Sequence, residues 1–266
     1  MLLPHDHDPM GAAIEDYFEG RKLKTLRIYS SMFEEDEMPI PHLFRTEMEM
    51  SRIEQMALNL CHGKVLDVLE WAGAHSIVLQ EREGVNVTAI DVSQRSVEVM
   101  RRRGIQQAVA ADFFTDHLNE TYDTILLMMN GIGIVGFVNR LSEFFQRANE
   151  LLADKGCVIL DSSDIKYIYE DDITPFIPDA NEPYYGEVDY TMHYGNVHGL
   201  PFNWLYIDEG LLKREAAKYG FHTEIIFRGE HYDYLARLTR VWNPTSHKGL
   251  GKKVKTNNHL NVENNV

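Results

Sequence analysis

The chain is poor in cysteine, in cationic residues and in long apolar runs, and each shortage excludes a class of protein. Two cysteines among 266 residues, Cys61 and Cys157, are too few for a disulfide framework and lack the paired spacing of a metal clip, so both read as buried free thiols. Lys and Arg number 26 against 41 Asp and Glu, a formal net charge of −15. Affinity for a phosphate backbone comes mainly from Lys and Arg displacing counterions, so no nucleic-acid partner is expected. No apolar stretch reaches the ~20 residues a membrane helix needs, and the start MLLPHDHDPM lacks the charged-then-apolar order of a secretion signal. No membrane partner is expected, and the cytoplasm is the default compartment. The run His5-Asp6-His7-Asp8 holds metal-ligand residue types on a polar start expected to be mobile, so no metal site is assigned.

What the chain does have is the composition of a globular domain, 44% hydrophobic and 25% charged, and enough length to bury a large α/β core. Residues 1–63 read as an N-terminal helical cap. Pro9–Leu23 and Phe44–Cys61 are its helices, the second through Met48, Ile53, Met56, Ala57 and Leu60 at helical spacing, with FEEDEMPIPH (33–42) as a loop between them. From residue 64 the pattern becomes short, nearly continuous apolar runs at Lys64–Val68, Asn86–Ile90, Gln107–Ala110, Thr124–Met128 and Cys157–Leu160. Amphipathic helices at Ala74–Arg82, Gln94–Arg103 and Asn139–Ala153 separate them. Such runs mark a parallel sheet covered on both faces, because each strand must then be apolar on both sides.

A hairpin insertion is expected over about 162–207, carried by Tyr185–Tyr194 and Phe202–Ile207. A helix at Glu209–Tyr219 and a closing antiparallel pair, Phe221–Phe227 and Tyr232–Val241, complete a domain over 64–243. The fold expected is therefore α/β: a doubly wound, mainly parallel seven-stranded sheet with helices on both faces and an antiparallel last strand. The Asn-rich end, 244–266, is too poor in large apolar residues to pack and reads as a disordered tail.

Four segments carry candidate chemistry. Val65-Leu66-Asp67-Val68 followed by Ala72-Gly73-Ala74-His75-Ser76 is a strand, a sharp turn and a helix start, the unit that presents backbone N–H groups to a ligand. Val85–Asp91 ends a strand on an acid at about the distance, ~20 residues, expected of a ribose-binding carboxylate. Asp91 and Ser93 also suit a helix N-cap. Ala111-Asp112-Phe113 follows the third strand, where Asp112 is either a ligand acceptor or a turn residue. Tyr122–Met128 runs into Met129-Asn130-Gly131-Ile132-Gly133, a small-residue loop at a strand end. The dinucleotide fingerprint G-x-G-x-x-G is absent after the first strand, which disfavours a nicotinamide oxidoreductase.

These four segments, in this order, resemble the class I Rossmann-like methyltransferases that use S-adenosylmethionine. The resemblance implies cofactor contacts at Asp67, Gly73, His75, Asp91, Asp112, Phe113, Asn130 and Gly131, with Asp91 on the ribose and Asp112 on the adenine amino group. It also implies S-adenosylhomocysteine as product and a small-molecule acceptor. DPMGAAIEDY and GEHYDYLARL are similar to a bacterial subgroup of that family.

The family's loop glycines fall on Leu69, Trp71 and Gly73, so only the last is kept. Glycine serves there because the backbone must approach the ligand and adopt positive φ. Leu69 and Trp71 either pack inside a remodelled loop of a working methyltransferase or block the pocket of a pseudo-methyltransferase that acts as a binding module. Methyl transfer draws chiefly on proximity and orientation, with a base needed only if the acceptor must lose a proton. Asn130 would line the transfer site, and His193, His231 and Asp161 are the candidate bases. The polar aromatics Tyr167, Tyr169, Tyr184, Tyr185, Tyr190, His193, Tyr194, His198 and Trp204, with the acids Asp161, Asp164 and Glu187, would form either a cage for a cationic or aromatic acceptor or the faces of a small sheet.

Overall fold

Asp8 opens the first helix, α1 (Pro9–Phe18), by accepting a hydrogen bond from Gly11 N at 2.8 Å, with Pro9 supplying a preset φ at the first helical position. In this computed structural model, which describes residues 1–170, 176 and 182–241, the helix stops well short of Leu23. The chain then forms two short strands, β1 (Leu26–Tyr29) and β2 (Asp36–Met38), the second inside the stretch read as loop. The expected helix from Phe44 is also shorter. A 3-10 turn, Glu47–Glu49, precedes α2 (Arg52–Leu60), whose start is set by a capping box between Ser51 and Glu54. Met48, counted in the apolar stripe, is exposed.

The remaining elements are β3 (Gly63–Val68), α3 (Ala74–Gln80), β4 (Val85–Asp91), α4 (Gln94–Arg102), β5 (Ala108–Ala110), β6 (Tyr122–Leu127), α5 (Leu141–Leu151), β7 (Leu152–Ser163), β8 (Glu187–Tyr194), β9 (Val197–His198), β10 (Phe202–Leu205), α6 (Glu209–Lys218), β11 (Phe221–Arg228) and β12 (Asp233–Arg240). Seven of the strands make the expected sheet in the order β11-β12-β7-β6-β3-β4-β5. The run β7-β6-β3-β4-β5 is parallel, and β12 is antiparallel to both its neighbours. Alternation along β6 shows why its sequence is continuously apolar: Ile125 and Leu127 pack on the side of Phe144 and Phe145, whereas Leu126 and Met128 pack with Ala57 and Leu58. Strand order reverses between β3 and β6, so a crevice opens at their C-terminal ends.

The segment read as an insertion and the segment read as a cap are one structure. β8 pairs antiparallel with β10 and β9 and, on its other side, with β1, which in turn pairs with β2. This second sheet, β10-β8-β1-β2, stands over the crevice. The first residues are tied down rather than mobile: Leu3 N donates to Val92 O at 3.0 Å, and Asp8 accepts from Ser93 Oγ at 2.5 Å. Both cysteines are free and buried. The expected tail lies outside the described residues, and among those described no helix is long and apolar enough to cross a membrane.

Candidate active site

The loop after β3 keeps a glycine path without the glycines. Leu69, Trp71 and Gly73 have φ of 64°, 56° and 89°, all in the left-handed region, where a side chain costs roughly 1–2 kcal/mol. Backbone hydrogen bonds hold the strained residues. Leu69 N donates to Ile90 O at 3.0 Å, Trp71 N to Asp91 Oδ2 at 3.1 Å and Gly73 N to Glu70 O at 2.8 Å. Gly73 itself serves packing, since a Cβ there would lie 2.2 Å from Ile105 Cδ1.

Glu70, between the strained pair, turns inward and caps α3. Its Oε1 accepts from His75 N at 2.6 Å and from Ser76 N at 3.0 Å, and its Oε2 faces His75 Nδ1 at 3.1 Å. On the other side of the ring, His75 Nε2 meets Glu54 Oε1 at 2.9 Å, the oxygen that also accepts from Arg45 Nε at 2.8 Å. The second Glu54 oxygen closes the capping box through Ser51 N and Oγ, both at 2.9 Å. Arg45, Glu54, Glu70 and His75 are all buried. Burial alone would lower the His75 pKa, but the Glu70 charge and the bonds to Glu54 and Glu70 raise it to about 10. Glu54 moves the opposite way: burial would raise it, and the bonds from His75 and Arg45 outweigh that and lower it. Asp67, buried and bonded to Ser76 Oγ at 2.8 Å, is pushed well up by burial and by the Glu70 charge.

A second strained pair follows β6, Met129 at φ 61° and Asn130 at φ 56°. Asp161, near the end of β7, accepts from Asn130 N at 2.8 Å, and Ser163 Oγ donates to Asn130 Oδ1 at 3.0 Å. Burial raises the Asp161 carboxyl to about 7.

These loops border a cavity of about 1230 Å³ between the two sheets. Leu69, Trp71, Met129 and Asn130 line it. Tyr232, at φ 62°, stacks at 5.1 Å on Tyr167, which lines it too. Every non-glycine residue with left-handed φ among those described therefore belongs to this cavity or touches its wall. Such concentration of strain is a mark of functional sites, because only a surrounding structure that over-determines the backbone can hold it. Leu69 and Trp71 form part of the wall and leave the cavity open.

Of the residues singled out from sequence, Asp91, Asp112, Phe113, Asn130 and His231 line the cavity. Asp91, at the end of β4, accepts Trp71 N with one oxygen and Ser93 N, at 2.8 Å, with the other; burial raises it to about 7. Each oxygen keeps a second lone pair. Asp112 accepts from Phe114 N at 2.8 Å and from the Met1 amino group. Burial would raise its pKa, and that amino group together with Phe114 N brings it below the usual value.

Asp67, Gly73, His75, Gly131 and His193 do not line the cavity. Asp67 and His75 are committed to the network behind the loop, and Gly131 is buried at the start of a 3-10 turn. His193 lies on the opposite face of β8 from Tyr190 and Met192, stacked at 4.2 Å on His198 and 4.8 Å from Tyr29. The ligand-type atoms of Asp67, Glu70 and His75 lie within 4.8 Å of one another, and each is already engaged: Asp67 with Ser76 Oγ, Glu70 with the start of α3, and His75 with Glu70 and Glu54.

The Arg45–Glu54 pair and the cavity residues Ile28, Asp36, Met38, Phe202 and Tyr206 of the second sheet, the lid of the cavity, were not among the residues expected from sequence. The signal available for the lid was the alternation in Leu26-Arg27-Ile28-Tyr29, where Ile28 faces the cavity and Arg27 the solvent. Of the polar aromatics, Tyr167, Tyr190 and Trp204 line the cavity, whereas Tyr184 and Tyr185 bond to Asp208 and Asp164 at 2.8 and 2.7 Å.

No family model matches the chain, and no curated protein matches it. Solved structures do. A SAM-dependent methyltransferase from Bacteroides fragilis, in complex with S-adenosyl-L-homocysteine, is 45% identical over 91% of this chain and 98% of its own, with a TM-score of 0.84. The CcbJ methyltransferase from Streptomyces caelestis (12% identity, 71% of this chain, 90% of its own, TM-score 0.56) shares the fold. So does the PH0226 protein from Pyrococcus horikoshii OT3 (20%, 71%, 87%, 0.52).

Proposed function

The chain belongs to the SAM-dependent methyltransferases, and on that premise we propose that it transfers the methyl group of S-adenosylmethionine to a small molecule held beneath the second sheet. The observation that carries this reading is the open cavity at the strand-order switch, walled by four strained backbone positions and by Asp91 and Asp112. Its volume, about 1230 Å³, exceeds the ~300–1,000 Å³ typical of a site for one small ligand. That leaves room for a donor and an acceptor together. It also favours transfer over the reading in which Leu69 and Trp71 close the pocket.

The residues present fit S-adenosylmethionine. Asp91, with free lone pairs at the end of β4, would take the ribose hydroxyls. Asp112 would take the adenine amino group, with Val92, Phe113 and Phe114 packed beside the ring. Leu69 and Trp71 would flank the methionine portion, and Asn130 would border the transferred methyl. The bound donor supplies an electrophilic methyl group on a sulfonium. What the chain supplies is orientation and exclusion of water, which can account for most of the acceleration of an in-line displacement. Asp161 would position Asn130, since it accepts from the Asn130 backbone N–H and does not itself line the cavity.

Calorimetric titration with S-adenosylhomocysteine tests the reading directly. Saturable binding at a one-to-one ratio is expected. Absence of heat at millimolar ligand would refute it.

A further inference from the structure

Resting on the function proposed above, we propose that the acceptor is a primary or secondary amine, recognised as its ammonium ion by an aromatic wall and the carboxylate of Asp36. The wall belongs to the second sheet. On β10, Phe202 and Trp204 meet edge to face at 6.3 Å, and Tyr190 of β8 packs against Phe202 at 5.9 Å. The Tyr190 and Tyr206 hydroxyls bond to each other at 3.1 Å. All four side chains line the cavity on the side facing the strand ends. An ammonium group is attracted to such ring faces by their quadrupoles, best to Trp, while a neutral ligand gains only area.

Charge decides between those two kinds of ligand. Asp36 of β2 lines the same space, and its side chain bonds only to its neighbour's N–H, Glu37 N at 2.7 Å. Among the described residues it has no ion-pair partner. Its field reaches the tyrosines: Tyr190 and Tyr206 are held above the ordinary phenol value first by burial and then, among other contributions, by the Asp36 charge. Both phenols thus stay neutral and add no competing anion. Arg140 is the one Lys or Arg side chain among the described residues lining the cavity, and it is engaged with Glu143 at 2.9 Å and over the Phe114 ring at 5.2 Å. An anionic acceptor would meet an unpaired carboxylate and no free cation.

The chemistry balances. The ammonium loses one proton to water at the exposed edge strand. The nitrogen lone pair then forms the N–C bond as the C–S bond breaks. The C–S electron pair stays on sulfur, leaving a thioether and an N-methylated ammonium.

Calorimetry of the S-adenosylhomocysteine complex with benzylamine, benzyl alcohol and benzoate tests this. Benzylamine is expected to bind at least tenfold more tightly than the other two. Asp36→Asn should weaken benzylamine by roughly fivefold, as loss of an exposed ion pair allows, and leave benzyl alcohol and S-adenosylhomocysteine unchanged, the last showing that the variant is folded. With S-adenosylmethionine present, mass spectrometry should find N-methylbenzylamine. The inference is overturned if either analogue binds as well as benzylamine, if Asp36→Asn changes nothing, or if none of the three binds to a complex that has taken up S-adenosylhomocysteine. Failure of S-adenosylhomocysteine itself to bind would instead sink the function proposed above.

Discussion

Glu70 accepts a hydrogen bond from the backbone N–H of His75 at 2.6 Å and faces that residue's imidazole Nδ1 at 3.1 Å. One carboxylate thus caps α3 and anchors the loop whose flanking residues, Leu69 and Trp71, hold left-handed backbone. The loop is therefore clamped by charge where glycine would have been permissive.

Glu70→Gln should destabilise the protein by about 3–5 kcal/mol, the usual cost of leaving a buried charge without its partner. It should also weaken S-adenosylhomocysteine binding. Adding Leu69→Gly should recover part of that affinity, because a glycine needs no clamp to hold positive φ. Chemical denaturation and calorimetry on the single and double variants measure both effects, and additive losses would show that clamp and strain are independent.

Leu69→Gly alone should be close to neutral for stability. Relief of about 1 kcal/mol of backbone strain is offset by about 0.5–1 kcal/mol of added chain entropy in the unfolded state. Affinity for S-adenosylhomocysteine should change by less than about fivefold (~1 kcal/mol), since the cavity is already open. A large gain in affinity would mean that the Leu69 side chain is an obstacle after all.

Stability should fall as pH rises from about 4 to 10, for two reasons of the same sign. The folded pKa of His75 is raised to about 10 from 6.5, so its contribution is complete below 6.5 and lost as pH climbs through 10. Asp91 and Asp161, raised to about 7 from 3.8, bind protons more strongly folded than unfolded, so stability declines between those values. Urea melts across this range check the slope. In His75→Gln the decline above pH 7 should flatten.

Binding should follow the opposite trend at Asp91. The ionised carboxylate is the better acceptor for two hydroxyl groups, and burial, helped by the neighbouring Asp8 and Glu70 charges, delays its ionisation to about pH 7. Affinity for S-adenosylhomocysteine should therefore increase from pH 6 to pH 8. Asp91→Asn should lower it at least tenfold, the value of one charge-assisted hydrogen bond of about 1.5–3 kcal/mol, and abolish the pH dependence.

Gly133→Ala tests the lid. A Cβ there would stand 2.0 Å from Trp204 Nε1, so the indole must move from the cavity wall. Acceptor turnover should drop while S-adenosylhomocysteine affinity stays within about twofold, because Asp91 and Asp112 lie at the other sheet. Equal losses in both would show that the two regions are not separate.

The central sheet was legible because its middle strands β3, β6 and β7 are buried on both faces over most of their length, and continuous runs such as Tyr122–Met128 have few other uses. Asp91, Asp112 and Asn130 were legible as residues at strand ends, where local order along the chain already places them. His75 was not. It follows the loop in the position of a ligand contact, yet its partners Glu54 and Arg45 come from a different helix and turn, and no local pattern announces that pairing. His193 failed for a related reason: one residue's difference in a strand moves a side chain to the other face, and its register against Arg27 is set by pairing across 166 positions.

The central sheet, its order of segments and the acids at its strand ends follow from local periodicity and turn chemistry and can be read along the chain. So can the absence of two loop glycines. What that loss means depends on contacts between distant segments: Leu69 and Trp71 keep the left-handed path, held by Glu70, His75 and Asp91. Such contacts also join β1 and β2 to β8, making one lid from segments far apart in the chain. Long-range pairing and buried charge depend on which surfaces meet, and that is settled by packing rather than by any stretch read alone.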